Sequence, residues 1–255
     1  MFALEVNFLT GRFVATAHDD RSAPEWPPHP ARLYSALVAA HYAAPEQPPA
    51  ERSALEWLER LEPPWIRCSD CAPREVVSVF VPVNDPTKEI GAKRVLPGIL
   101  PKHADRKPRT FPSVTPEVPQ VLYLWPEVEA PSATTRALDD ICERAVRLGH
   151  SSSLVSVRVV QAPAQAAVAP KDAPEEARPA EGRDGVGSGE WTMRTEAKFP
   201  GDWMPVPDGP VRFRVVRAGQ LRRLEDAYAR HQEIEPRVMP ASTREYARAG
   251  EPNPS

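Results

Sequence analysis

The chain has 255 residues, of which 41% are hydrophobic and 26% charged, enough for one large or two small folded units and too apolar for an intrinsically disordered protein. Its formal net charge of −3 excludes an indiscriminate polycation. No apolar run reaches the roughly eighteen residues of a membrane span, and the start "MFALEVNFLTGRF" lacks the features of a signal peptide, so a cytoplasmic location is expected. With 32 prolines against 12 glycines, the regular elements should be short and joined by stiff, extended connections.

"FALEVNFLTGRFVAT" alternates from Phe2, with Leu4, Val6 and Phe8 on one face, and predicts a strand. After the proline-laden loop "HDDRSAPEWPPHP", Pro30 opens a helix with Leu33, Leu37 and Ala40 at helical spacing. A second helix carries Leu55, Leu58 and Leu61 and stops at Pro63 and Pro64. "WIRCSDC" and the β-branched "EVVSVFVPVND" read as strands. Cys68 and Cys71 form an isolated C-x-x-C with no second ligand pair, so a strand or its turn is the better reading than zinc or redox chemistry, and no metal or cofactor is expected. "VLYLWP" predicts a strand. "SATTRALDDICERAVRLG" predicts a helix capped by Ser132 or Thr134, striped by Leu138, Ile141, Ala145 and Leu148, and ended by Gly149.

"HSSSLVSVRVV" then places His150 beside Ser151, Ser152 and Ser153 before a strand. A nucleophile elbow runs from strand to helix, the reverse order, and no acidic partner is identifiable by spacing; the stretch reads as a structural turn. Residues 161–190 form an Ala/Pro/Glu-rich insertion whose glycines lack the Lys-Ser/Thr of a phosphate-binding loop. "WTMRTEAKFP" and "PVRFRVVRA" predict strands. "GQLRRLEDAYARHQE" predicts a helix with Leu221, Leu224 and Tyr228 on one face, after which no further strand is expected.

Charge is concentrated in one place. Between positions 88 and 109 the basic residues Lys88, Lys93, Arg94, Lys102, Arg106, Lys107 and Arg109 face only Glu89 and Asp105. One-signed charge on a long, proline-stiffened loop attracts phosphates by Coulomb force and counterion release, and His103 and Phe111 beside it supply rings that can stack on bases. The element order is strand, helix, strands, long hairpin, strand, helix, strand. This predicts an α+β fold, a modified ferredoxin-like βαββαβ unit (RRM-like) with a basic hairpin inserted at about 86–120.

Four segments together, "MFALEVNFLTGRFVAT", "APEWPPHPARLYSALVAAHY", "RKPRTFPSVTPEVPQVLYLWP" and "RLGHSSSLVSV", resemble the N-terminal half of a CRISPR-associated fused subunit. It is that of type I-G (formerly I-U) Cascade complexes, in the RAMP superfamily. The resemblance covers about residues 1–160. It implies a handle-binding domain whose basic loop acts as a thumb on the crRNA 5′ handle, joined in the family to a repeat-processing endoribonuclease. Carried over by position, Lys102, Arg106, Lys107 and Arg109 become thumb contacts, with Lys93, Arg94, His103 and Phe111 beside them. Arg12 and Arg32 become handle-phosphate contacts, and Trp26 or His29 alternative stacking groups.

The expected organisation is a crRNA-binding domain at 1–160, a flexible insertion at 161–190, and a strand–helix extension at 191–255 that opens a truncated processing domain. Expected partners are crRNA, the backbone and large subunits of Cascade and, through the complex, target DNA; no membrane is expected. The expected role is structural and antiviral. The alternative is a metal-independent endoribonuclease, with His103 and Lys107 (or Lys102), or else His150, as its acid–base groups.

Overall fold

A computed structural model of the chain describes residues 1–20, 22–75, 78–82, 89–90, 93–94, 106–161, 201–231 and 241–249. In chain order the elements are β1 (Phe2–Phe8), β2 (Phe13–Val14), α1 (Pro30–Ala43), α2 (Pro49–Leu58), β3 (Trp65–Cys68), β4 (Cys71–Pro73), β5 (Ser78–Pro82), β6 (Glu89–Ile90), β7 (Lys93–Arg94), β8 (Arg106–Thr110) and β9 (Ser113–Pro116). There follow β10 (Gln120–Trp125), α3 (Ser132–Arg144), β11 (Val155–Gln161), β12 (Trp203–Pro205), β13 (Val211–Val215), α4 (Gln220–His231) and β14 (Ser242–Arg248).

The main sheet has seven strands in the order β11-β1-β10-β3-β12-β14-β13. Its first four are antiparallel throughout. With α1 between β1 and β3 and α3 between β10 and β11, this is the 4-1-3-2 order of a ferredoxin-like βαββαβ unit. The fold is α+β, as the sequence predicts. Period-two alternation explains the assembly. Phe2, Leu4, Val6 and Phe8 of β1 lie opposite or next to Trp125, Tyr123 and Val121 of β10 and meet Leu33, Leu37, Leu55, Leu138 and Ile141 of the helices in one core.

Two buried carboxylates pin the helices. Glu51 of α2 holds His41 of α1 at 2.8 Å and Arg144 of α3 at 2.7 Å. Glu59, just past α2 and 6% exposed, accepts the amide protons of Gly219 and Leu221 at 2.7 Å and the Tyr34 hydroxyl at 3.1 Å. It therefore satisfies orphan donors at the N-terminus of α4, where the helix dipole favours an anion. Arg52 reaches Glu225 of α4 at 2.5 Å, and Tyr42 also donates to Glu225.

Several expectations are corrected. The first predicted strand breaks into β1 and β2 at Gly11, which has φ 64°. Helix α3 begins at Ser132 but uses neither Ser132 nor Thr134 as a cap: Pro131 occupies the N-cap position. It ends at Arg144, well before Gly149. Ala145 and Leu148 remain buried because the chain beyond the helix folds back on the core, with Val155 N–H donating to the Val146 carbonyl. Gly149 does have φ 79°, but in the later turn: a Cβ there would meet the Val14 carbonyl at 2.8 Å.

The expectation that no strand follows α4 is wrong. β14 pairs with both β12 and β13, and Trp203 of β12 pairs with Ile66 of β3, so these strands extend the first unit's own sheet. Leu221 and Leu224 are buried on that framework, whereas Tyr228 is 70% exposed and leaves the stripe. The predicted strand at 191–200 and nearly all of the 161–190 insertion lie outside the described residues. No helix among the described residues is long and apolar enough to cross a membrane.

Candidate nucleic-acid interface

The basic segment follows a hairpin. β5 and β8 pair antiparallel, with Val79 opposite Arg109, Val81 opposite Lys107 and Pro82 opposite Arg106. Farther along, Lys93 and Arg94 of β7 pair with Ile90 and Glu89 of β6. Lys102 and His103 lie outside the described residues. Arg109 is exposed, and Val79 and Phe80 on the opposite strand are exposed as well, so the hairpin stands away from the core.

Its root is rigid. Two residues after β8 the chain enters β9, the middle of the three-stranded sheet β2-β9-β4. The Arg74 amide donates to the Ser113 carbonyl at 2.9 Å and closes the other side of the root. Between β8 and β9, Phe111 is 38% exposed, and its ring lies 4.6 Å from that of His150 at an interplanar angle of 52°.

His150 is held by the serine turn. Its amide donates to the Val14 carbonyl at 2.9 Å. The buried Ser153 hydroxyl oxygen accepts the Val14 amide at 2.7 Å and so ties the same turn to β2. The Ser152 amide donates to His150 Nδ1 at 3.3 Å, and the Ser152 hydroxyl lies 2.9 Å from the same nitrogen. Two donors converging on Nδ1 make it the acceptor and assign the proton of the neutral ring to Nε2. No acidic side chain orients this histidine through hydrogen bonds among the described residues, so the arrangement lacks the third member of a nucleophile–base–acid relay.

The other predicted residues are placed differently. Arg12 lies immediately before β2, so it shares the hairpin's supporting sheet, and its Nε is buried without a hydrogen-bond partner. Arg32 is committed elsewhere: it forms a bidentate ion pair with Glu25, 2.7 Å at each oxygen, and only 28% of its side chain is exposed. Burial opposes ionisation of Glu25, yet the Arg32 hydrogen bonds, with His29 and Arg32 charge, hold its carboxyl below the usual range.

His29, with Nδ1 at 3.6 Å from Glu25, packs on Phe213; burial depresses its pKa despite that carboxylate. Trp26 is a core anchor, packed on Phe8 and Phe13 with its indole N–H donating to the Ser69 carbonyl at 3.1 Å. Cys68 ends β3 and Cys71 begins β4, and burial raises the Cys68 thiol to about 12, far from a reactive thiolate.

The structure thus gathers Arg109 and Phe111 at one root, with Arg12 on the supporting sheet. The His150–Phe111 contact escaped sequence reasoning, because 39 positions separate the two residues and only the pairing of β2 with β9 brings their loops together.

A crystal structure of a CRISPR protein from Archaeoglobus fulgidus is similar to this chain at 15% identity, with a TM-score of 0.28, covering 63% of each chain. The chain thus spans less than two thirds of that protein's length. The curated proteins contain no match. The family model of the CRISPR-associated protein, GSU0054 family, matches residues 1–177, well over half of the 255. The strands β1 to β11 and the helices between them, with the basic hairpin and its root, are therefore those of a member of the GSU0054 family of CRISPR-associated proteins.

Proposed function

We propose that this chain is a crRNA-binding structural subunit of a type I-G Cascade complex, gripping the 5′ handle of the crRNA in the cytoplasm as part of antiviral defence. The observation that carries the reading is the hairpin: the chain's one-signed charge runs along β7 and β8, and Phe111 at its root is exposed beside the exposed Arg109. Arginine and lysine on a strand bind successive phosphates, and a half-exposed ring gives an unpaired base a stacking surface. In this reading Lys93, Arg94, Lys102, Arg106, Lys107 and Arg109 grip the backbone and Phe111 receives a base. Arg12 contributes from the supporting sheet. Arg32 acts through Glu25 on the loop that precedes α1. Backbone and large subunits flank the protein, target DNA is met through the assembled complex, and repeat processing belongs to a fused domain of the family.

The experiment is fluorescence anisotropy with labelled repeat-handle RNA across a salt series. Replacing Lys102, Arg106, Lys107 and Arg109 by alanine should weaken binding and lower the slope of log K against log salt by about 0.7 for each phosphate no longer neutralised. Unchanged affinity and slope refute the reading. A metal-independent cut in the same RNA, abolished by His103→Ala, would replace it with the endoribonuclease.

A further inference from the structure

A second electropositive feature lies on elements that the hairpin does not use. The turn leaving α2, the connection from β13 to α4, and β14 enclose an open cleft of about 270 Å³. Arg60, Arg217 and Arg244 line it, one from each of these three segments. All three are exposed, and none forms an ion pair among the described residues. The acids nearby are mostly engaged. Glu59 lines the cleft but is turned to the α4 amides and Tyr34. Glu245, next to Arg244, accepts from Arg212 and from the Asp208 amide. Among the described residues, only the carboxylate of Glu62 is left along the wall. Three guanidinium groups outnumber the two carboxylates of the lining, and the Glu59 carboxylate is turned to its amide and hydroxyl donors, so the cleft, whose remaining lining includes Leu61, Pro63 and Val216, makes a site for an anion.

We infer that this cleft binds the phosphate backbone of a single-stranded nucleic acid, as a second site separate from the hairpin. Guanidinium forks match phosphate oxygens in bidentate geometry. The cleft is open, and its three arginines are exposed, so a continuous strand can pass along it. No aromatic residue among the described residues lines it, so it holds the backbone without reading bases. The site exists only because β12, β13 and β14 join the sheet beyond β3; the loop after α2 alone supplies just one of the arginines. The inference shares with the function proposed above only its ligand class.

The test uses the full chain and a labelled single-stranded oligouridine, with binding measured across a salt series. Arg60→Ala/Arg217→Ala/Arg244→Ala should lower the salt slope by about 2, the sum for three single-strand phosphates. Because these side chains are exposed and form no ion pair among the described residues, the variant's thermal midpoint should match that of the unaltered chain, which separates weakened binding from failed folding. Combined with the four hairpin substitutions, the two slope reductions should add. An unchanged slope in the cleft variant, beside a reduced one in the hairpin variant, overturns the cleft and leaves the hairpin standing. A reduced slope in the cleft variant alone does the reverse, and no salt-dependent binding by the unaltered chain overturns both. Competition by polyglutamate as effective as that by unlabelled oligouridine of equal charge would show a site for acidic polypeptide and also overturn the inference.

Discussion

Glu59 offers the sharpest test of how the C-terminal strands are held. The residue is 6% exposed, and its carboxylate accepts three hydrogen bonds, two from amides at the start of α4 and one from Tyr34. In Glu59→Ala, the Gly219 and Leu221 amides lose their acceptor, the Tyr34 hydroxyl keeps only the Leu55 carbonyl at 3.2 Å, and the α4 dipole loses its anion. A hydrogen bond to a charged group contributes about 1.5–3 kcal/mol, and an unsatisfied buried donor costs about 1–3 kcal/mol. Water can reach the partly exposed Gly219 end, and the Leu55 carbonyl still accepts from Tyr34, which discounts two of the three, so the expected destabilisation is about 2–4 kcal/mol. Glu59→Gln keeps the shape and one carbonyl acceptor, and should cost roughly half as much.

Urea denaturation gives the total, and amide hydrogen exchange locates it. Exchange at Gly219 and Leu221 should accelerate in both variants, whereas that of β1 should follow only the global stability. A destabilisation below about 1 kcal/mol in Glu59→Ala, with exchange at those amides unchanged, would refute the argument that this carboxylate caps and docks α4.

Gly149→Ala should destabilise the chain by several kcal/mol, because it adds about 1–2 kcal/mol of left-handed strain to a Cβ placed 2.8 Å from the Val14 carbonyl; a denaturation midpoint within error of the parent would refute the packing argument. Stability should also fall in acid. The folded pKa of His29 lies below its unfolded value, and so does that of Glu25. Both therefore contribute stability that is complete above the unfolded pKa and is lost as pH falls, first near 6.5 for the histidine and then through the carboxylate range. His29→Gln should flatten the first part of a urea-midpoint profile between about pH 7.5 and 5.5, and an unaltered profile would refute the assignment. Finally, Phe111→Ala should weaken handle-RNA binding about fivefold or more, the equivalent of one stacked base worth at least about 1 kcal/mol, whereas His150→Ala should leave any RNA processing by the assembled complex intact and change stability by less than about 1 kcal/mol. Loss of processing with binding preserved would make His150 catalytic.

Much of the fold was legible in local pattern. Alternation at Phe2, Leu4, Val6 and Phe8, helical spacing at Leu33 and Leu37, and the order of elements lead to βαββαβ, because burial of one face is encoded with the period of the element that presents it. Charge clustering likewise marked the hairpin, since neighbours along one strand remain neighbours in space. Endings were less legible: the hydrophobic stripe of α3 continues through Ala145 and Leu148, yet the helix stops at Arg144 because the chain beyond it packs onto the core and β2 as a turn.

Partnerships between distant segments belonged to the tertiary structure. Arg32 reads in the sequence as a free cation, but folding sets Glu25 against it, and Phe111 gains His150 through the pairing of β2 with β9. β14 carries "STREYAR", whose mostly polar residues give weak strand periodicity; it becomes a strand because β12 and β13 offer backbone partners on both sides and Tyr246 is buried between them. The arginine cleft is the extreme case. Arg60, Arg217 and Arg244 are separated by 157 and 27 positions, and only the closing of β12 onto β3 and the capping of α4 by Glu59 bring their charges to one place. Coulomb forces act through space and carry no period along the chain, so no pattern in the sequence announces them.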